Sequence, residues 1–233
     1  MAGKYLLEIS VDGLDKASAA ERAGADRIEL CADLSVGGLT PSQEVLRGVR
    51  EKVRIPIFAM VRPRSGDFVY SASEFEDMKR AIGDAKESGM DGVALGVLRK
   101  DYRVDVERTQ ELVGLAGPLP VTFHRAFDEC ADLRETLEAV IRTGAARILT
   151  SGGASGASEG AAVLAGLVHL SRERITILPG GSIRASNVAE VARRTQAREF
   201  HSGLGSTLSY SSRDYKHFEA EVRRLAGQLT QLP

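Results

Sequence analysis

Five residues stand out for the chemistry they could do together. Glu8 sits inside Leu7-Glu8-Ile9 and Glu29 inside Ile28-Glu29-Leu30. Arg62 follows Met60-Val61, His124 follows Thr122-Phe123, and His201 follows Phe200. Two carboxyls and two imidazoles can exchange protons near neutrality once burial or neighbours shift them, and a guanidinium can hold a carboxylate or oxyanion. Proton abstraction, isomerisation and hydrolysis are all open to such a catalytic set. The same acids and histidines also suit zinc or manganese, although Arg62 in their midst would repel a cation. Glycines form a second group: Gly152 and Gly153, Gly180 and Gly181, and Gly203 and Gly205. Glycine lets backbone N–H groups approach an anion closely, so these six are candidate anion-binding positions. No Lys falls at the end of an apolar run, which argues against Schiff-base chemistry. Neither a G-x-S-x-G elbow nor an H-E-x-x-H helix is present.

What must position these residues is a repeating strand-helix frame. Short β-branched runs cover Tyr5 to Val11, Arg27 to Leu30, Pro56 to Val61, Gly92 to Gly96, Pro120 to His124, Arg147 to Thr150, Thr176 to Pro179 and Glu199 to His201. Amphipathic stretches follow them, clearest at Ser42 to Lys52, Ser73 to Ser88, Asp132 to Thr143 and Asn187 to Arg194. Several open on Ser, Asp or Asn, residues that cap free helical N–H groups. Alternation of this kind demands a parallel sheet. A weak repeat sharpens it: Gly24-Ala25-Asp26-Arg27-Ile28, Gly89-Met90-Asp91-Gly92-Val93, Gly144-Ala145-Ala146-Arg147-Ile148 and Gln196-Ala197-Arg198-Glu199-Phe200 precede every second strand. Glycine there supplies a left-handed helix cap. Four doubled units predict an α/β fold, a (β/α)8 TIM barrel in a single domain over 1–233. An open doubly wound sheet would want G-x-G-x-x-G after its first strand, where Val11-Asp12-Gly13-Leu14 stands instead. Strand alternation then turns Leu7, Ile9, Ile28 and Leu30 toward the helices and Glu8 and Glu29 toward the barrel axis.

Composition bounds the partners. Of 233 residues, 43% are hydrophobic and 27% charged, enough to bury a substantial core, and the net charge is −1 with scattered Lys and Arg. No basic footprint for nucleic acid exists, and no apolar run is long enough to span a membrane. The opening Met1-Ala2-Gly3-Lys4 shows no signal-like apolar region, and Cys31 and Cys130 form no C-x-x-C pair. A cytoplasmic protein is expected, with a small anionic ligand as partner.

The stretches Arg27-Ile28-Glu29-Leu30-Cys31, Gly37-Gly38-Leu39-Thr40-Pro41-Ser42, Val61-Arg62-Pro63-Arg64-Ser65-Gly66-Asp67-Phe68 and Thr122-Phe123-His124-Arg125-Ala126-Phe127-Asp128 resemble the CutC copper homeostasis family. Arg147-Ile148-Leu149-Thr150-Ser151-Gly152 and Leu178-Pro179-Gly180-Gly181 extend the resemblance from about Leu6 to Gly205. It implies a cytoplasmic barrel, often a homo-oligomer with a dimer favoured, linked to copper tolerance and to copper(I) ion binding. Cys31 is the metal ligand so implied, with Met60 or a histidine as its companion. The resemblance breaks at one position: family members proposed to bind copper carry a cysteine in the first strand, where this chain has Ser10. A hydroxyl is a poor ligand for copper(I), which favours thiolate and thioether sulfur.

Overall fold

The computed structural model describes residues 5–204 and 214–232. Gly205 therefore lies outside the described residues. Eight strands and eight helices alternate: β1 Leu6–Val11, α1 Leu14–Arg22, β2 Arg27–Leu30, α2 Gln43–Lys52, β3 Ile57–Met60, α3 Ala72–Glu87, β4 Gly92–Leu95, α4 Val106–Ala116, β5 Val121–Phe123, α5 Leu133–Thr143, β6 Arg147–Thr150, α6 Ala161–Ser171, β7 Thr176–Pro179, α7 Val188–Thr195, β8 Glu199–Ser202 and α8 Tyr215–Thr230. The pairings between these strands are all parallel, in the order β7-β6-β5-β4-β3-β2-β1-β8. This is the TIM barrel predicted from the sequence. Among the described residues no main-chain ladder joins β7 to β8. Ser202 Oγ instead donates to the Ile183 carbonyl at 2.7 Å, and an Arg184 N–H donates to Ser202 Oγ at 3.2 Å.

The repeat does the turning work expected of it. Gly24, Gly89 and Gly144 adopt φ of +94°, +72° and +82°, and Gln196 takes the same left-handed place at +59°. The aspartates of the first two copies have a further job: Asp26 accepts from the Leu7 N–H at 3.0 Å and Asp91 from the Ile57 N–H at 2.9 Å. Each ties its turn to the foot of the preceding strand. Ser42 and Asp132 cap their helices as expected, whereas Asn187 makes no side-chain capping bond and Ser71 takes the place expected of Ser73. Ser42 Oγ accepts from the Val45 N–H, while α3 begins one residue early because Ser71 and Glu74 form a reciprocal capping box.

Two populations of side chains leave the strands. Leu7, Ile9, Val11, Ile28, Leu30, Ile57 and Phe123 pack outward into one core shared with the helices. The inward population is polar and layered, beginning with Arg27, Glu8, Phe58, Arg147 and Glu199 low in the barrel. Arg27 joins Glu8 in a buried ion pair and Glu199 at 2.8 Å, and its guanidinium lies 5.0 Å from the Phe58 ring centroid. Arg147 covers that ring at 4.4 Å. Phe58 has room because Gly92 opposes it; a Cβ there would stand 2.3 Å from the ring.

Candidate functional site at the strand ends

Above the Arg27 layer, inward positions of β1, β2 and β8 meet. The register sets Glu8 beside His201 and Ser10 beside Glu29. Glu8 Oε1 lies 2.7 Å from His201 Nδ1, and His201 Nε2 lies 2.8 Å from Ser10 Oγ. Ser10 in turn donates to Glu29 Oε2 at 3.2 Å. The result is an unbroken chain, Glu8-His201-Ser10-Glu29, with all four residues buried. Glu8 fixes the imidazole orientation, since a carboxylate accepts only from a protonated Nδ1.

Charge distributes unequally along this chain. Burial would raise the Glu8 carboxyl, but Arg27 and then His201 outweigh it and hold Glu8 at about 2. Glu29 has no guanidinium partner, and burial pushes its carboxyl up from the ordinary value. Burial alone would depress His201, yet Glu29 and Glu8 more than compensate and raise it. The two groups nearest the mouth, Glu29 and His201, thus both shift upward, the acid toward neutrality. Environments that separate a fixed charge from a movable proton are the usual basis of acid–base sites.

The chain forms one wall of a cavity of about 510 Å³ at the strand ends, shared by Ser10, Glu29, Arg62, His124, Gly181 and His201 among others. Arg62, Arg125 and Arg184 line it beside the acidic Glu29 and Glu129, with Arg125 also paired to Asp128 at 2.8 Å. His124 accepts from the Ala126 N–H through Nδ1 at 3.2 Å and stacks against Phe68 at 4.9 Å. Burial, reinforced by Arg62, lowers it to about 3, so the ring is neutral and carries its proton on Nε2. Room for the ring comes from Gly96, where a Cβ would lie 2.7 Å away.

The five residues expected to converge do so in two groups. Glu8, Glu29 and His201 touch through the chain, whereas Arg62 and His124 line the same cavity from β3 and β5. Arg62 does not enter the carboxylate network. It donates to the carbonyls of Val36, Gly38 and Gly66 at 2.8, 3.2 and 2.9 Å, so it clasps the loops after β2 and β3. Of the glycines, Gly181 and Gly203 reach the cavity. Gly152 and Gly153 direct their N–H groups to Thr150 Oγ1 and Asp128 Oδ1, and Gly180 to the Thr150 carbonyl. Sequence reasoning missed Arg27 as the counterion of Glu8, although Arg27 shares the parity of Glu29 two residues later. It also read Ser10 only as a lost sulfur ligand.

A model of the CutC family matches residues 5–206. The chain belongs to the CutC family. A human copper homeostasis protein cutC homolog is 46% identical over 206 residues, covering 88% of this chain and 76% of the human one. A CutC family protein from Chromobacterium violaceum is 43% identical, covering 89% and 84%. The crystal structure of a CutC protein from Streptococcus agalactiae superposes with a TM-score of 0.80 at 31% identity, covering 85% and 98%. Phosphoribosyl anthranilate isomerase from Thermotoga maritima shares the fold at a TM-score of 0.64 and 13% identity.

The family's copper association can be weighed against the donors present. Ligand atoms of Glu8, Glu29 and His201 lie within 4.8 Å of one another. Carboxylates are hard donors that do not suit copper(I), and imidazole, which can serve copper, needs a free ring nitrogen. Moreover, Glu8 is paired with Arg27, and both ring nitrogens of His201 are engaged. Cys31 is buried and donates to Glu29 Oε2 at 3.6 Å. Burial first, and Glu29 second, push its thiol well above the ordinary value. Met60 packs with Cys31 in one small buried cluster, so the soft donors present are one thiol and one thioether, and with Ser10 in the first strand the two-cysteine set for copper(I) is incomplete.

Proposed function

We propose that this CutC-family chain is an acid–base enzyme acting on a small organic anion in the barrel mouth. The observation that carries the reading is the Glu8-His201-Ser10-Glu29 chain opening on a cavity that Arg62, Arg125 and Arg184 help to line. Glu8, anchored by Arg27, orients His201. Glu29 holds or releases a proton toward the ligand, and Ser10 links the two so that a proton lost at one end can be replaced from the other. These arginines draw the anion in and balance its charge.

A panel of small carboxylates and phosphate esters, screened by thermal shift and followed by calorimetry, tests this. At least one is expected to stabilise the protein, with affinity falling about tenfold in Arg184→Ala, as for loss of one charge-assisted contact. No stabilisation by any member would remove the reading.

The name shared by several relatives offers the rival: copper(I) held by Cys31, in a protein of the reducing cytoplasm. Competition against a strong copper(I) chelator is expected to show no binding above a denatured control and no change in Cys31→Ala. One copper per chain, lost in that variant, would restore the rival.

A further inference from the structure

Three polar atoms of cavity-lining residues lack any hydrogen-bond partner: Glu29 Oε1, Arg62 Nε and His124 Nε2. Their residues are only 3%, 7% and 3% exposed. A buried polar atom without a partner is costly, by about 1–3 kcal/mol, so three on residues that line one cavity point to a ligand that completes them. Their characters differ. Arg62 Nε is always a donor, and His124 Nε2 is the donor of a neutral ring because Nδ1 already accepts from Ala126. Glu29 Oε1 is the acceptor, its other oxygen being occupied by Ser10 and Cys31. Two N–H groups and a carboxylate oxygen, carried by residues that line one cavity, match a carbonyl oxygen and an adjacent acidic C–H.

We propose that the mouth is an enolisation site, in which Glu29 Oε1 removes a proton from the carbon beside a carbonyl while His124 Nε2–H and Arg62 Nε–H hold the carbonyl oxygen. The inference rests on the acid–base reading above and narrows the substrate to small anionic aldehydes or ketones with a C–H beside the carbonyl. The C–H electron pair becomes the new C=C bond as the carbonyl π pair moves onto oxygen. The proton on Glu29 then returns to the neighbouring carbon or to solvent, so nothing is oxidised or reduced overall. A neutral imidazole is the apt donor here, because an imidazolium would surrender its proton to the developing oxyanion; burial and Arg62 keep His124 neutral. Arg62 is already anchored by three carbonyls, so its guanidinium is held in place before any substrate arrives. Gly181 and Gly203 mark where the substrate's anionic end enters.

The test is deuterium exchange. The full chain is incubated in D2O with dihydroxyacetone phosphate, glyceraldehyde 3-phosphate, fructose 6-phosphate and hydroxypyruvate, and C–H loss beside the carbonyl is followed by NMR. Exchange above the protein-free rate is expected for at least one. It should fall about 10²–10³-fold in Glu29→Gln and in His124→Phe. Phosphoglycolohydroxamate, an enediolate mimic, should bind the wild-type chain and lose affinity in His124→Phe more than in Glu29→Gln. If small anions bind but none of the four exchanges, enolisation is wrong and the broader acid–base reading stands. If neither binding nor exchange occurs, both fail. Exchange that persists unchanged in Glu29→Gln would overturn the assignment of the base, and the wild-type measurement decides the matter even where a variant does not fold.

Discussion

At the scale of single residues, neighbours rather than residue types decide which groups carry charge. Glu8 and Glu29 leave adjacent strands with the same inward parity, yet Arg27 holds Glu8 at about 2 while Glu29 rises. The consequences for stability have definite signs. His124 is depressed from 6.5 to about 3, so over that interval the unfolded chain takes up a proton that the folded chain refuses. Stability therefore falls as pH falls from 6.5 toward 3. Glu8 acts in the same direction between 4.5 and about 2, where only the unfolded carboxyl is protonated. His201 opposes them: its value is raised on folding, so its contribution is complete below 6.5 and is lost as pH rises through the folded value. In His124→Gln the difference between melting temperatures at about pH 7.5 and about pH 4.5 is expected to shrink relative to wild type; an equal difference would refute this account. Arg27→Met should cost about 3–5 kcal/mol in urea unfolding, because it strands a buried carboxylate. A loss below about 1 kcal/mol would show that the pair is dispensable.

At the scale of elements, β4 and the residue after it present Gly92, Ala94 and Gly96 to the interior, leaving hollows that two rings from flanking strands fill. Phe58 occupies one and His124 the other. Glycine in a strand normally weakens it, so its value here is the space it leaves. Gly92→Ala is expected to destabilise by about 1–3 kcal/mol through overpacking against Phe58. Adding Phe58→Leu should recover part of that loss, giving a double variant more stable than the two single effects predict. Strict additivity in denaturant unfolding would contradict the packing argument. Legibility at this scale followed the same logic of pattern. The strands announce themselves through β-branched runs, and α2, α3, α5 and α7 through amphipathic spacing. Helix α6 is nearly all apolar along Ala161-Ala162-Val163-Leu164, which hides its period and kept it off the clearest set. The loop clasp made by Arg62 was illegible for another reason: its partners are backbone carbonyls, which no side-chain pattern marks.

At the scale of the whole molecule, the barrel and its inward carboxylates were readable because eight counted units leave one way to close and alternation fixes which side chains face the axis. The counterion layer was equally available, since Arg27, Arg147 and Glu199 share the parity of Glu29, Leu149 and His201. Attention to the mouth alone passed over it. Ser10 shows the opposite limit: only coordinates reveal that its hydroxyl bridges an imidazole and a carboxylate. One architectural detail reaches further. Where β7 meets β8, side chains and not main-chain ladders hold the wall together. The sheet is in effect a ribbon curled until its edges touch, and edges fastened by Ser202 and Arg184 can part without sacrificing a single rung. Breathing of the wall should concentrate along that line, beside Gly181 and Gly203, where a ligand's negative end would pass.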